Sequence, residues 1–540
     1  MKSRRAVRAV SSMLAILSFS LSEAAAQTGR SSADALTRAE RSDYRETSRY
    51  SDVVEFVKQV TAESPKLHLT RLGYSMEGRE LPVVVVGDLP DASPEAVTGS
   101  GKLRVFILAN IHAGEVAGKE AALMLLRAIA AGQHRAWLDS LVLLVAPIYN
   151  ADGNERIGLD NRPYQFGPIA GMGQRVNAQG LDLNRDHMKL ESPEAHSLVR
   201  FWNEYDPHVV MDLHTTNGSH HGYRLTYAPP LHPDTDSTIV GELRGSWLPA
   251  ITRKLKRKYG WDYHSYGFLP YRESDERGWY TFGHQPRYST NYVGLRNRFG
   301  ILSEVYAYDT FESRILATLR FVEEVVDYAH RNATGIAQAA ARADSASLVG
   351  RELTLRADYE RTGPEEILMG DVEEIRNPYS GRPMLRRLDV QRPERMPIFG
   401  TFRPTETERA PAAYLVPGDL QVVLNALDDH GVRWTRLAAP RRLGVERFAI
   451  DSTSVAEPEF QGHRQRTLYG RYESVDIEIP AGTAIVAVDQ PLGRLAFALL
   501  EPRSDDGLVN WNVLDDELEG ARQYPIVRAR GAAAEALAGE

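Results

Sequence analysis

Four apolar runs of strand length break off into polar residues that can do chemistry. "VFILANIHAGE" ends in His112 and Glu115, "LVLLVAPIYN" ends in Asn150, "DPHVVMDLHTT" reaches His214, and "FGILSEVYAYDT" carries Glu304. Near-continuous apolar runs of this kind mark strands covered on both faces. After the first run, Leu123, Leu126 and Ile129 share one helical face before the next run begins. A strand–helix–strand order calls for parallel neighbours. The expected fold class is therefore α/β, a doubly wound, mostly parallel sheet. Such a sheet gathers its strand ends at one edge, where ligands bind, so four distant segments face one pocket. Gly114 and Gly118 are expected to let the backbone turn tightly between the first strand and its helix.

The rest of the chain is read around this frame. Val54, Phe56, Val57 and Val60 have helical spacing, and residues 81–86 form a strand. Ile315, Leu319, Val322 and Val326 share the face of a closing helix. "GIAQAAARADSAS" is small and polar and reads as a linker. Beyond Leu348 the pattern is short alternating strands with Pro-rich turns, Val475, Ile477 and Ile479 among them. The apolar stretch that follows reads as more strand, and "LQVVLNALDDHG" as a single helix. The expected organisation is a first domain over 46–340 and a mainly β accessory region over 348–540. Lys2, Arg4 and Arg5 precede the apolar "MLAILSFSLS" and the small-residue "AAAQ". This is the pattern of a signal peptide over 1–26, cleaved after Ala26, with a loose linker over 27–45. The expected location is exported, periplasmic or extracellular.

Composition narrows the chemistry. The chain has no cysteine, so a metal site must use His, Asp or Glu. A formal charge of −8, without a Lys/Arg stripe, excludes a nucleic-acid partner. No run after the start is long enough to span a membrane.

Two imidazoles and one carboxylate, His112, His214 and Glu115, form an open zinc site that leaves a coordination position for water. A free carboxylate must then move the water's proton to the leaving group, and Glu304 is placed for it. "QRVNAQGLDLNRDH" adds substrate chemistry. Arg185 is suited to fork onto a carboxylate and Asn184 to add donors. Arg175 is suited to face a developing oxyanion and Asp182 to orient a ligand imidazole.

In chain order, "GYSMEGREL", "HAGE", "NADG", "RVNAQGLDLNR", "DLHT" and "ILSE" resemble the zinc carboxypeptidase family, the carboxypeptidase A/B-like metallopeptidases. The resemblance covers residues 50–330 and implies one zinc ion on His112, Glu115 and His214. It also implies Glu304 as general base, Arg175 on the oxyanion, Asn184 and Arg185 on the substrate's terminal carboxylate, and Asp182 behind His112. The family's well-known animal members carry an Arg just before the zinc-binding Glu; here that residue is Gly114. The family also lays a mobile Tyr over the terminal residue. Tyr280, Tyr288 and Tyr292 are candidates, and Tyr288 is preferred.

"DLHT" is also similar to the zinc deacylases of N-acyl amino acids, which share this metal site. The expected function is an exported metallocarboxypeptidase acting on peptides or proteins with a free C-terminal carboxylate. A zinc deacylase or amidase acting on N-acyl amino acids or cell-wall peptides is the alternative. A catalytically inactive peptide-binding protein is a third reading, which the filled catalytic positions disfavour.

Overall fold

The computed structural model describes residues 35–531, apart from 217 and 273. The expected signal peptide, 1–26, lies outside the described residues. In chain order the first strands are β1 (Leu67–Tyr74), β2 (Glu80–Val86), β3 (Leu103–Ala109), β4 (Leu141–Ala146), β5 (Val209–Thr215), β6 (Leu225–Ala228), β7 (Tyr263–Ser265), β8 (Trp279–Tyr280) and β9 (Phe299–Val305). All but β8 form one eight-stranded sheet, ordered β1-β2-β4-β3-β5-β9-β6-β7. Its centre, β4-β3-β5-β9, is parallel, while β1 runs against β2, β2 against β4, and β6 against β9 but alongside β7.

Every residue of β3, β4 and β5 is buried, because helices cover both faces. Side chains alternate along β3. Phe106 turns to Phe201 and Trp202 on the helix Pro193–Tyr205, with ring centroids 5.6 and 6.1 Å away. Ala109 turns to the helix Ala117–Ala130 on the other face. That helix lies unusually close to the sheet. A Cβ on its Gly118 would stand 2.7 Å from Leu213 Cβ and 3.2 Å from Leu213 O.

The C-terminal region holds two long hairpins and a second sheet. β10 (Glu352–Arg376) and β11 (Pro383–Arg409) pair antiparallel, and β11 also pairs with β8. β12 (Ala413–Val416), β13 (Thr435–Arg436), β14 (Arg441–Val455), β15 (Arg466–Ile479), β16 (Ala484–Ala487) and β17 (Val527–Ala529) form a six-stranded sheet. One continuous apolar core runs from the first sheet through Leu353, Val416, Phe448 and Trp511.

Four local expectations are corrected. The stretch read as a linker is the helix Ala333–Ser345, with Ile336, Ala339, Ala340 and Ala343 buried. Alanine is the strongest helix former, and the six in this helix outweigh the polar residues between. The apolar run read as strand after β16 is the helix Gly493–Leu500. Short, wholly apolar segments have no period to tell the two apart. Beyond Leu348, β12, β13, β16 and β17 are short as expected, but β10, β11, β14 and β15 are long. Pro393, Pro397 and Pro404 lie inside β11, whose hairpin leaves N–H positions that need no ladder partner. Finally, the end of the segment expected to be loose, 35–45, holds the helix Arg38–Arg41. Thr37 caps it, and Glu40 pairs with Arg127 at 2.7 Å.

Gly118→Ala should therefore lower the midpoint of thermal unfolding, because Leu213 is backbone-bound and cannot yield. The expected cost is about 1–3 kcal/mol, the range for overpacking a filled core.

Candidate active site

β3 ends where Asn110 enters the left-handed region, at φ 67°, which Asn tolerates better than most side chains. Asn110 and Asn150 donate to Ala113 O and Ile111 O, each at 3.3 Å. Glu115 N–H closes the turn on His112 O at 2.8 Å. His112 and Glu115 thus leave one braced turn ahead of the helix Ala117–Ala130. Neither Gly114 nor Gly118 is among the residues with positive φ, so they do not make the turn as expected. Both are needed for close approach. At Gly114 a Cβ would lie 2.7 Å from Arg162 Cδ and 2.8 Å from Gly173 O.

At the end of β5, Asp212 and His214 are two residues apart and share a face. His214 lies in register with Glu304 on β9. The two imidazoles converge on one carboxylate: His112 Nδ1 is 3.0 Å from Glu115 Oε1, and His214 Nδ1 is 2.9 Å from Glu115 Oε2. On their far sides, His112 Nε2 is 3.0 Å from Asp182 Oδ1 and His214 Nε2 is 2.9 Å from Asp212 Oδ2. A neutral imidazole carries one N–H. An aspartate that accepts it at Nε2 leaves the Nδ1 lone pair facing inward. Potential ligand atoms of His112, Glu115 and His214 all lie within 4.8 Å of one another. Two nitrogens and a carboxylate, each oriented from behind, fit a zinc ion.

Two arginines complete the electrostatics. Arg162 Nη1 donates to Glu115 Oε1 at 2.8 Å, and its Nη2 is held by Thr215 O at 2.9 Å. Burial opposes the charge on Glu115, but His112, Arg162 and His214 outweigh it and hold the carboxyl well below its ordinary range. Burial also disfavours charge on His214, yet Asp212 and Glu115 raise its pKa well above the usual value. Arg175 Nε donates to Asp182 Oδ2 at 2.9 Å, and its Nη1 lies 3.8 Å from Glu115 Oε1. Burial pushes Glu304 up to about 8, with Glu115 adding to the shift and His214 opposing it.

The cavity over these groups measures about 180 Å³. His112, Glu115, Arg175, Asn184, Arg185, His214, Tyr288 and Glu304 all line it. Asp182 is held behind His112, as expected. Asn184 Oδ1 accepts Ser289 N–H at 2.9 Å. Its Nδ2 is 3.3 Å from His214 Nε2, whose proton points to Asp212, so the amide N–H groups remain for another acceptor. The Arg185 guanidinium lies over the Tyr288 ring at 4.2 Å. The other tyrosines are elsewhere: Tyr280 stacks on Phe399, and Tyr292 is buried with its hydroxyl 2.7 Å from His430 Nδ1. A larger hollow, about 840 Å³, is lined by the C-terminal sheet around Arg436, Arg447 and Tyr524 and shares none of these side chains.

Sequence reasoning missed Arg162, Asp212, Tyr266 and Phe282. Asp212 was within reach, since it stands two residues before a proposed ligand on a strand. Arg162 sits in a loop without a motif, and Tyr266 and Phe282 meet the cavity only through folding.

Replacing Asp182 or Asp212 by Asn should weaken zinc binding roughly 10–100-fold, the usual effect of losing a ligand's supporting partner. Competition with a chelator of known affinity measures it directly.

The description "Zinc carboxypeptidase" belongs to the family whose pattern matches residues 53–283. Carboxypeptidase 2 of Trichophyton equinum is 26% identical over 479 residues, covering 84% of this chain and 81% of that protein. Carboxypeptidase 2 of Trichophyton rubrum gives the same figures. Among solved structures, a metallo-carboxypeptidase from Burkholderia cenocepacia covers 53% of this chain and 69% of its own, at TM-score 0.39 and 18% identity. Carboxypeptidase A from Helicoverpa armigera covers 54% and 75%, at TM-score 0.40 and 14% identity. Residues 53–283, with the His112, Glu115 and His214 cluster inside them, match the zinc carboxypeptidase family of peptidases, whose cofactor is zinc.

Proposed function

We propose that this protein is an exported metallocarboxypeptidase that hydrolyses the last peptide bond of substrates with a free C-terminal carboxylate. The carrying observation is that one cavity joins the His112, Glu115 and His214 trio to Glu304 and, across it, to Asn184 and Arg185. When bound to the trio, zinc supplies a Lewis acid and lowers the pKa of water to about 7.

The chain's own residues do the rest. Glu304 takes a proton from the attacking water and delivers it to the amine nitrogen as the C–N bond breaks. Its buried position, which favours the protonated form, suits the delivery step. Arg175 donates to the carbonyl oxygen as charge develops there. Asn184 and Arg185 receive the terminal carboxylate, and Tyr288 closes over it. Asp182 and Asp212 hold the imidazoles in place.

The substrate's terminal side chain meets Tyr266, Phe282, Thr290 and Leu302. The carboxylates lining the cavity are Glu115 and Glu304, both engaged in the chemistry. A Lys or Arg side chain therefore finds no counter-charge, and burying one costs far more than burying a ring. Peptides ending in Phe, Tyr or Leu should be cleaved at least about tenfold faster than those ending in Lys or Arg, measured as kcat/KM.

Export rests on the basic and apolar start of the chain. Among the described residues no helix is long and apolar enough to cross a membrane. The first domain over 46–340 remains our assignment of the catalytic unit, and 348–540 that of the mainly β region.

One peptide in two forms, free acid and C-terminal amide, tests the reading, each with and without a chelator. Stepwise loss from the acid alone, abolished by chelation, is the expected result. Glu304→Gln should lower kcat by roughly 10²–10⁴-fold. Cleavage of both forms would remove the carboxylate role of Arg185. Inertness towards both, with release of an acyl group from N-acyl amino acids, would turn the assignment to a deacylase.

A further inference from the structure

The segment between β8 and the helix Ser289–Leu295 supplies Phe282 and Tyr288 to the cavity, and most of it has neither helix nor strand. Its inner side is tied to the first sheet. Asn291 Nδ2 donates to Gly283 O at 2.9 Å and Gln285 O at 3.0 Å, and Ser289 Oγ donates to Asp212. Its outer side is held by the C-terminal region. Asp505 Oδ2 lies 3.1 Å from His284 Nε2 and 3.4 Å from Gln285 Nε2. Asp506 grips Arg287 twice, taking the backbone N–H at 2.6 Å and the guanidinium Nη2 at 2.8 Å. The guanidinium also lies against the rings of Trp511 and Phe460, at 4.7 and 5.2 Å. Trp511 Nε1 donates to Asp506 at 2.8 Å.

The turn that carries Phe460 reaches the other half of the site. Gln461 Oε1 accepts the backbone N–H of Asp182 at 3.0 Å, and His463 Nε2 lies 2.5 Å from Glu191 Oε1. The C-terminal region therefore touches both segments that build the carboxylate end of the cavity, the one with Asp182 to Arg185 and the one with Tyr288.

We propose that the C-terminal region completes the substrate-binding end of the active site, with Asp506 and Arg287 as a positioning pair that sets Tyr288 and, through its ring, Arg185. The proposal rests on the carboxypeptidase reading for the choice of substrate. Asp506 and Arg287 are both buried. A buried ion pair is a poor source of stability, since each charge gives up its hydration, and orientation is what such a pair supplies. Here the carboxylate fixes the backbone and the side chain of the residue directly before Tyr288. A shift of that residue moves the ring on which Arg185 rests. This pair does not touch the turn after β3 that carries His112 and Glu115, nor the ends of β5 and β9 that carry His214 and Glu304, so binding rather than chemistry should respond.

Arg287→Met, Asp506→Asn and the double variant separate positioning from mere support. Each single change leaves one buried partner unmatched, and the double removes both charges. The double variant should regain a near wild-type Tm and zinc content, yet keep a KM for the free-acid peptide raised roughly tenfold with kcat within about threefold. Hydrogen–deuterium exchange over residues 281–290 should be faster than in wild type. Gln461→Ala, on a partly exposed turn, is the milder arm, with KM raised about threefold. A double variant with wild-type KM and wild-type exchange overturns the proposal, as does a loss confined to kcat. If the wild-type chain cleaves neither peptide, the activity reading falls, while the exchange data still decide whether the pair holds the segment.

Discussion

A buried carboxylate, Glu115, is the charge around which this molecule is arranged. It is 3% exposed, and an anion there is untenable without compensation. Compensation comes from four directions: His112, His214, the Thr215 N–H at 3.0 Å, and Arg162. Each requires something of the fold. His112 needs the braced turn after β3. His214 and Thr215 need β5 to lie beside β3. Arg162 needs Gly114 to be bare. Arg162 also adopts a left-handed backbone, φ 49°, which costs on the order of 1–3 kcal/mol for a non-glycine residue. Its bonds to Glu115, to Thr215 O and to Gln165 Oε1 at 2.8 Å hold it there.

The parallel centre of the sheet was legible in the sequence because its strands are apolar throughout and break off at polar residues. That pattern survives without knowledge of any partner. It carried His112, Glu115, His214 and Glu304 to one edge correctly, since a strand's end is a local property. The position of Asp182 behind His112 was legible through the spacing of "GLDLNR", whereas spacing and resemblance left Tyr280, Tyr288 and Tyr292 open, and of these Tyr288 lines the cavity. Arg162 was not legible, because its role comes from a contact between a loop and a turn 47 residues away. The C-terminal region resisted for a different reason. Its first hairpin buries a partial face against β8 and the segment before β6, as Ile367, Met369 and Met396 do against Trp279 and Tyr223. A strand half covered by tertiary contact has no clean alternation to read.

The same difference in origin separates the two ends of the cavity. The metal end rests on strand termini, whose positions follow from the hydrogen-bonded sheet. The carboxylate end rests on segments of irregular backbone, which hold position only where other groups tie them. Asn291 and Asp212 tie them from the sheet side, and Asp505, Asp506 and Gln461 from the other. The continuous core between the regions lets such ties have fixed geometry. A loosely linked module would average them away.

The formal charges around the cavity point the same way. Four carboxylates stand in or directly behind it: Glu115, Glu304, Asp182 and Asp212. Three guanidiniums oppose them: Arg162, Arg175 and Arg185. With the imidazoles neutral and Glu304 protonated, as its pKa of about 8 favours, the charges balance, and a divalent cation leaves an excess of two positive charges. The terminal carboxylate of a peptide would then halve that excess. In a cavity shielded from water, Coulomb terms are several-fold larger than in solution, so this last charge is worth most when the substrate presents it beside Arg185. A peptide with an amidated end leaves the excess uncompensated. Under the proposed carboxypeptidase reading, a free C-terminus is thus favoured by the overall charge of the site as well as by the fork of one arginine.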